Sequence, residues 1–85
     1  MYKVIIKKQA KKKLLSINTK DKIRLTEKIV RLGYDPEDPS LKIKKLTGQP
    51  GYRLKVGDWR VIFLRDDDIM VIAVEKIKPR GDVYK

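Results

Sequence analysis

Three cations in the second half of the chain have the types and spacing to bind an anion and act on it. Arg53 and Lys55 lie two residues apart, and Arg60 follows after an intervening Gly-Asp pair. The chain has no Cys and no His, which excludes a thiol nucleophile, an imidazole base and a thiolate metal site. Any catalysis must therefore come from Lys, Arg, Tyr, Asp or Glu.

The sequence around Gly57-Asp58 predicts a hairpin that places these cations on one face. Two alternating runs flank this pair, which fits a two-residue turn. Lys55 then lies opposite Arg60, with Arg53 on the same face, and we expect this face to be exposed to solvent. Like charges opposite one another destabilise a sheet. The face is therefore either fully solvated or built to hold an anion.

The other face of the hairpin has the pattern of a core. The turn predicts the pairs Val56 with Trp59, Leu54 with Val61, and Tyr52 with Phe63. Trp59 and Tyr52 are accordingly interpreted as core side chains. Residues 66–68 are three consecutive acids, and we interpret them as a turn, because consecutive side chains point in different directions and do not converge on a metal.

The rest of the pattern supplies the elements that must position the hairpin. Apolar spacing predicts a first strand at residues 2–7, helices over 8–17 and 20–32, and a last strand at 69–77. Gly33 is expected to end the second helix. The Pro-containing segment that follows it is expected to be a loop. The fold class is thus α+β, with two N-terminal helices packed on a small antiparallel sheet in the order β-α-α-β-β-β.

Length and charge restrict the function further. A chain of 85 residues has room for a single domain with a modest core, which we place at 1–85. The 22 Lys and Arg against 11 Asp and Glu give a net charge of +11, which indicates a polyanion or an acidic protein as partner. The apolar runs are too short for a signal peptide or a membrane span, so we expect a cytoplasmic protein without a membrane partner.

Three blocks of the sequence resemble the RelE/ParE toxin superfamily in order and spacing. They are Lys45-Leu46-Thr47-Gly48, the hairpin from Gly51 to Phe63, and Pro79-Arg80-Gly81-Asp82-Val83-Tyr84. The resemblance implies the β-α-α-β-β-β fold and, on its RelE-like branch, the toxin of a type II toxin–antitoxin system. Such a toxin is an mRNA endoribonuclease that cleaves on the ribosome without metal or cofactor. Its implied partners are a cognate antitoxin, the ribosome and mRNA.

The resemblance also implies which residues do the work. The catalytic candidates are basic residues on the sheet, a cation after the last strand and a C-terminal tyrosine: Arg53, Lys55, Arg60, Arg80 and Tyr84. The RNA-binding candidates are Lys45, Lys76 and Lys78. Pro79 stands where many relatives have a His. Lys78 could replace Arg80 as the tail cation.

Cleavage of RNA without metal requires a deprotonated 2′-hydroxyl, stabilisation of the charge on the phosphorane and a proton for the leaving 5′-oxygen. A lysine beside arginines releases its proton more readily because like charges repel, whereas arginine stays charged. Lys55 is therefore the candidate base and Arg60 the candidate phosphate clamp. Tyr84 could orient the hydroxyl or stack on a base, and Arg80 could neutralise the leaving group.

Two alternatives stay open on the sequence alone. A ParE-like inhibitor of DNA gyrase would share the fold and act by binding a protein, and a non-catalytic RNA-binding module would need only the charge. The lysines of residues 7–13 could likewise be a solvated helix face or a contact with ribosomal RNA. The antitoxin is expected to be acidic, or to carry an amphipathic, partly disordered segment.

Overall fold

The computed structural model describes residues 1–80, which form two helices and five strands. In chain order these are β1 (Lys3–Ile6), α1 (Lys8–Ser16), α2 (Thr19–Tyr34), β2 (Lys42–Lys45), β3 (Tyr52–Val56), β4 (Trp59–Asp66) and β5 (Val71–Pro79). The strands form one sheet in the order β1-β5-β4-β3-β2. The α+β prediction is confirmed. Two details differ from it, because β2 is an additional strand and β1 pairs with β5 in parallel.

Both helices pack on one face of the sheet, which we call the helix face; the other is the open face. The apolar positions of both helices and of β3, β4 and β5 form a single buried cluster. Its members are Ala10, Leu14, Ile17, Leu25, Ile29, Leu32, Leu41, Leu54, Val56, Val61, Phe63, Ile72, Val74 and Ile77. Within residues 1–80, neither helix has the length and hydropathy to cross a membrane.

The N-terminus of α2 is fastened to the central hairpin. Asn18 caps the helix by accepting a hydrogen bond from the Asp21 N–H at 2.9 Å. The Trp59 indole N–H donates to the Asp21 carboxylate at 3.0 Å. The Asn18 amide also donates to this carboxylate at 3.1 Å, and the hydrogen bonds from Trp59 and, second, from Asn18 lower the pKa of Asp21. Trp59 packs against the core from the helix face, as expected, while its polar edge sets the position of α2 on β4.

The expectation that Gly33 ends the second helix is wrong, because α2 continues to Tyr34. Gly33 lies buried in the last turn, where its carbonyl accepts a hydrogen bond from the Tyr2 N–H at 2.7 Å. A Cβ at this position would lie 2.7 Å from Cγ2 of Val4. Glycine is needed here for the close approach of β1 and not for a left-handed helix end.

A β-bulge in β5 decides which face its lysines occupy. Ile62 pairs with Lys76 and Phe63 with Val74, so one residue of β5 is extra in this register. The bulge lets Val74 and Ile77, three residues apart, both face the core. Lys76 and Lys78 consequently lie on the open face, although strict alternation from Val74 would have placed them toward the helices.

A network of hydrogen bonds and ion pairs surrounds Arg65, at the end of β4 next to the β4–β5 turn. Arg65 donates to Glu37 at 2.7 Å and to Asp67 at 2.9 Å, and the Tyr2 hydroxyl donates to Asp67 at 2.8 Å. The hydrogen bond from Arg65 is the main reason that the pKa of Asp67 is lowered. The network ties the first strand, the loop after α2 and the β4–β5 turn together.

Gly33→Ala should destabilise the protein by about 1–3 kcal/mol, the usual range for overpacking a tight contact. In an ordinary helix the same change would stabilise by up to roughly 1 kcal/mol. Urea denaturation measures the effect, and Val4→Ala supplies the matched control, because it removes the methyl group that the new Cβ would meet. Gly33→Ala should be much less harmful in the Val4→Ala background, and equal effects in both backgrounds would contradict the packing argument.

Asp67→Asn should flatten the dependence of stability on acid pH. A carboxylate whose pKa is lower in the folded protein than its ordinary value of 3.8 stabilises the fold above that value. This contribution disappears as the pH falls through the folded value. The free energy of unfolding, measured from about pH 5 downward, should therefore fall less steeply in Asp67→Asn than in the parent. A slope in Asp67→Asn equal to that of the parent would contradict this assignment.

Candidate nucleic-acid interface

A row of four cations crosses the open face at one end of the sheet. Lys42 pairs with Lys55, Lys55 with Arg60, and Arg60 with Lys78. Adjacent strands lie about 4.8 Å apart, so the row extends over roughly 14 Å. We call these four residues the cationic row. The pairing of Lys55 with Arg60, and the three apolar pairs predicted beside it, are confirmed.

A second set of cations lies two residues along the same face. Arg53 pairs with Lys44 on one side and with Ile62 on the other, and Ile62 pairs with Lys76. Among residues 1–80, none of the four members of the cationic row has a carboxylate within ion-pairing distance. The cationic row therefore concentrates positive charge without an ion pair among residues 1–80, in the arrangement that destabilises a sheet and attracts a polyanion.

Arg60 differs from its neighbours in the row, because it is only 4% exposed. Its Nη1 donates to the carbonyl of Trp59 at 3.1 Å and to that of Gly57 at 3.4 Å. Within the described part of the chain, its buried Nε has no hydrogen-bond partner. The expectation that Arg60 faces solvent is therefore wrong. Alternation assigns a side chain to a face of the sheet, but it does not determine how deeply neighbouring atoms cover that side chain.

A buried guanidinium without a carboxylate partner is unfavourable, because desolvation of a charge costs more than two weak contacts with carbonyl oxygens return. An anion brought to the row would offset part of that cost for Arg60. Lys55, by contrast, is exposed and directly available to a ligand. The row thus combines an accessible lysine with a strongly desolvated arginine beside it.

The other candidate residues divide between this face and other places. Lys76 and Lys78 lie on the open face with the row. Lys45 pairs with Tyr52, whose ring stacks on Phe63 in the core layer, so Lys45 lies on the opposite side of edge strand β2.

The Arg80 N–H donates to the carbonyl of Asp58 at 2.6 Å, which places Arg80 beside the hairpin turn. Tyr84 lies outside the described residues.

Sequence reasoning missed Lys42 and Lys44, which extend the cationic face over β2. The alternation of lysines with Ile43 was the available signal, since Ile43 packs against the core. A segment of four residues, three of them Lys, is too short and too polar to stand out as a strand. The partner strand β3 fixes it instead.

At the β5 end, the row borders a cleft of ≈ 400 Å³ between α1 and the last strand. Lys12 and Lys13 line it from the helix, and Lys76 and Lys78 line it from the strand. Lys13 also lies 5.8 Å from the centre of the Trp59 ring, which is within the range of a cation–π contact. Two of the α1 lysines thus extend the positive surface beyond the sheet.

Comparison with protein-family models and with curated proteins gives no match. Solved structures do match. The chain is 35% identical to a chain of the archaeal RelE–RelB complex from Pyrococcus horikoshii OT3, with a TM-score of 0.81 over 95% of this chain and 97% of that one. The isolated E. coli RelE toxin gives 22% identity and a TM-score of 0.77, over 99% of this chain and 92% of that one. A chain of the RelB–RelE complex from Methanococcus jannaschii gives 23% identity and a TM-score of 0.77, over 95% of this chain and 95% of that one.

The E. coli and M. jannaschii likenesses, below 25% identity, support the fold alone. Two helices on one face of a five-stranded sheet give the molecule the α+β fold of these proteins. The similarity to the P. horikoshii protein extends over nearly the whole of both chains at the level of sequence as well as fold. The chain belongs to the RelE toxin family.

Lys55→Gln should raise the free energy of unfolding by a few tenths of a kcal/mol at low salt, because it removes one like charge from the centre of the row. The gain should vanish at about 0.5 M salt, where such interactions are screened. Chemical denaturation at the two salt concentrations measures both. Lys3→Gln is the matched control, since Lys3 lies on the same open face but opposite Val71. A loss of stability in Lys55→Gln alone would contradict the repulsion.

Proposed function

We propose that this chain is the toxin of a type II toxin–antitoxin system and that it cleaves mRNA on the ribosome, in the cytoplasm, as a metal-independent endoribonuclease. The observation that carries the proposal is the cationic row, which has no ion-pairing carboxylate among residues 1–80, on the scaffold of a RelE toxin. A protein that acted only through its apolar surface would gain nothing from four like charges in register.

The proposed chemistry is attack of a 2′-hydroxyl on the adjacent phosphorus. Lys55 takes the hydroxyl proton, the new bond from the 2′-oxygen to phosphorus forms, and the bond to the 5′-oxygen breaks. The products are a 2′,3′-cyclic phosphate and a 5′-hydroxyl, with Arg80 or Lys78 neutralising the charge on the leaving oxygen as it takes up a proton from water. Arg53 and the lysines at 76 and 78 hold the backbone. Tyr84 orients the hydroxyl or stacks on a base.

Arg60 is assigned the charge that develops on the phosphorane. Its guanidinium has a fork of donors that suits phosphate oxygens, and its burial makes each interaction stronger than it would be in water. Contact between Arg60 and a phosphate requires the atoms that cover it to move. This requirement separates its role from that of Lys55, which is exposed before any substrate arrives.

Dependence on the ribosome follows from the chemistry of the proposed base. Lysine at neutral pH is mostly protonated and is a poor base, and a single-stranded message rarely adopts the in-line geometry by itself. A ribosome that bends the message into the attack geometry supplies what the side chains lack. The free protein should accordingly cleave RNA poorly.

The proposed antitoxin is an acidic partner that covers the cationic face. RelE-type chains are found in complex with RelB in P. horikoshii, E. coli and M. jannaschii. A net charge of +11 and an unneutralised row favour a partner segment rich in Asp and Glu. We expect its gene to be adjacent to that of the toxin.

Two charge-conserving substitutions test catalysis against simple binding. Lys55→Arg keeps the charge but removes the proposed proton acceptor, and Arg60→Lys keeps the charge but removes the fork. Single-turnover cleavage of mRNA on translating ribosomes, read by primer extension, should fall by a factor on the order of 10² in each. Affinity for ribosomes should stay close to that of the parent. Tyr84→Phe tests the hydroxyl separately from the ring.

Undiminished cleavage in both substitutions would overturn the catalytic assignment. Absence of cleavage by the parent would instead favour the gyrase-type alternative, which predicts that DNA replication stops before translation does. For a passive RNA-binding module, the charge-conserving changes should be neutral and only charge removal should weaken toxicity. Lys3→Arg, on the same face but opposite Val71, is the matched control.

A further inference from the structure

A second basic cleft lies near the Lys42 end of the cationic row, on the side of the sheet that carries α2. The cleft has a volume of ≈ 260 Å³ and lies between α2 and the strands β2 and β3. Arg24 and Lys28 line it from the helix, and Lys42 and Lys55 line it from the strands. The last two also belong to the cationic row, so the cleft and the row adjoin each other at these residues.

Arg24 and Lys28 are held together by the helix. They are four residues apart on α2, so they lie on the same side, one turn from each other. The Arg24 guanidinium lies against the hairpin turn, where a Cβ on Gly57 would be 3.4 Å from its Nη2. Gly57 has a φ of +57°. The turn that sets the register of the row therefore also brings the backbone close to this guanidinium.

The two helix cations are not neutralised by an ion pair within residues 1–80. Hydrogen bonds with Trp59 and Asn18 lower the pKa of Asp21, and the charge of Arg24 adds to this effect; hydrogen bonds with Ser40 lower the pKa of Asp38, and the charges of Arg31 and Lys28 add to it. Neither carboxylate lines the cleft, and their main hydrogen bonds are with other groups, Asp21 with Trp59 and Asp38 with Ser40. The cleft is thus lined by four cationic residues and, within the part of the chain that the structure describes, by no acidic one.

We propose that this cleft is a second phosphate-binding subsite for RNA. A strand that crosses the cationic row passes over the β2 edge, and a backbone phosphate beyond the scissile one binds between Arg24, Lys28 and Lys42. The arginine fork suits phosphate oxygens, and contacts with the backbone position a strand without reading its sequence. This inference rests on the proposed function for the direction of the strand, but binding to the cleft does not require cleavage.

The test uses an uncleavable probe, a fluorescein-labelled 2′-O-methyl hexauridylate, and fluorescence anisotropy between about 50 and 200 mM salt. Arg24→Gln/Lys28→Gln should weaken binding about tenfold. It should also reduce the slope of log affinity against log salt by about 0.7 for each phosphate that the variant no longer neutralises. The single substitutions, measured in the same way, should each give part of the effect, and Arg24→Lys/Lys28→Arg should keep the parent slope.

Lys8→Gln/Lys11→Gln is the matched control, because it removes the same charge from exposed positions of α1 that do not line the cleft. Its affinity should stay within about twofold of the parent, the small change expected when charge is removed away from the ligand. An equal reduction in both double variants would show that total charge binds the probe, and an unchanged slope in Arg24→Gln/Lys28→Gln would show that no phosphate occupies the cleft. Either result overturns the proposal.

Cleavage on ribosomes by the parent separates failure of this proposal from failure of the proposed function. Cleavage together with unchanged probe binding in Arg24→Gln/Lys28→Gln would leave the function standing and remove the subsite. The expected changes in binding without any cleavage by the parent would support the subsite and remove the proposed nuclease activity.

Discussion

The two-residue turn at Gly57-Asp58 is the constraint on which the rest of the molecule depends. Side chains alternate between the faces of a strand, so a shift of one residue in the pairing would exchange the core and the cations. Gly57 has a positive φ, which a two-residue hairpin turn requires and glycine adopts without strain. With that turn in place, Leu54 and Val61 meet beneath the helices, and Lys55 and Arg60 meet on the open face.

Burial on the other face of the same strands outweighs the repulsion in the cationic row. Leu54, Val61 and Phe63 are almost completely buried, and each buried side chain of this size stabilises the fold by about 1.5–3 kcal/mol. Like-charge pairs across a sheet cost a fraction of that. The protein can therefore hold a row of cations in register because the penalty is small beside the burial that fixes the strands.

The positive surface continues past the sheet on both sides. α1 adds Lys12 and Lys13 at the β5 end, and α2 adds Arg24 and Lys28 at the β2 end. The helices therefore do more than cover the core, since their polar faces extend the surface available to a polyanion. Sequence-independent affinity for nucleic acid grows with the number of phosphates that cations neutralise. Chemistry would be confined to the middle of this surface, where Lys55 and Arg60 lie side by side.

The sequence by itself determined what short-range chemistry controls. Alternation and a glycine turn specified the central hairpin and its register, and apolar spacing located both helices, because these patterns depend on neighbours in the chain. Tertiary structure decided what depends on distant partners. Gly33 continues α2 because Val4 packs against it, and β2 forms because β3 offers it an edge. The bulge in β5 places Lys76 and Lys78 on the open face. The burial of Arg60 reflects how closely surrounding atoms pack over it, which no local pattern encodes.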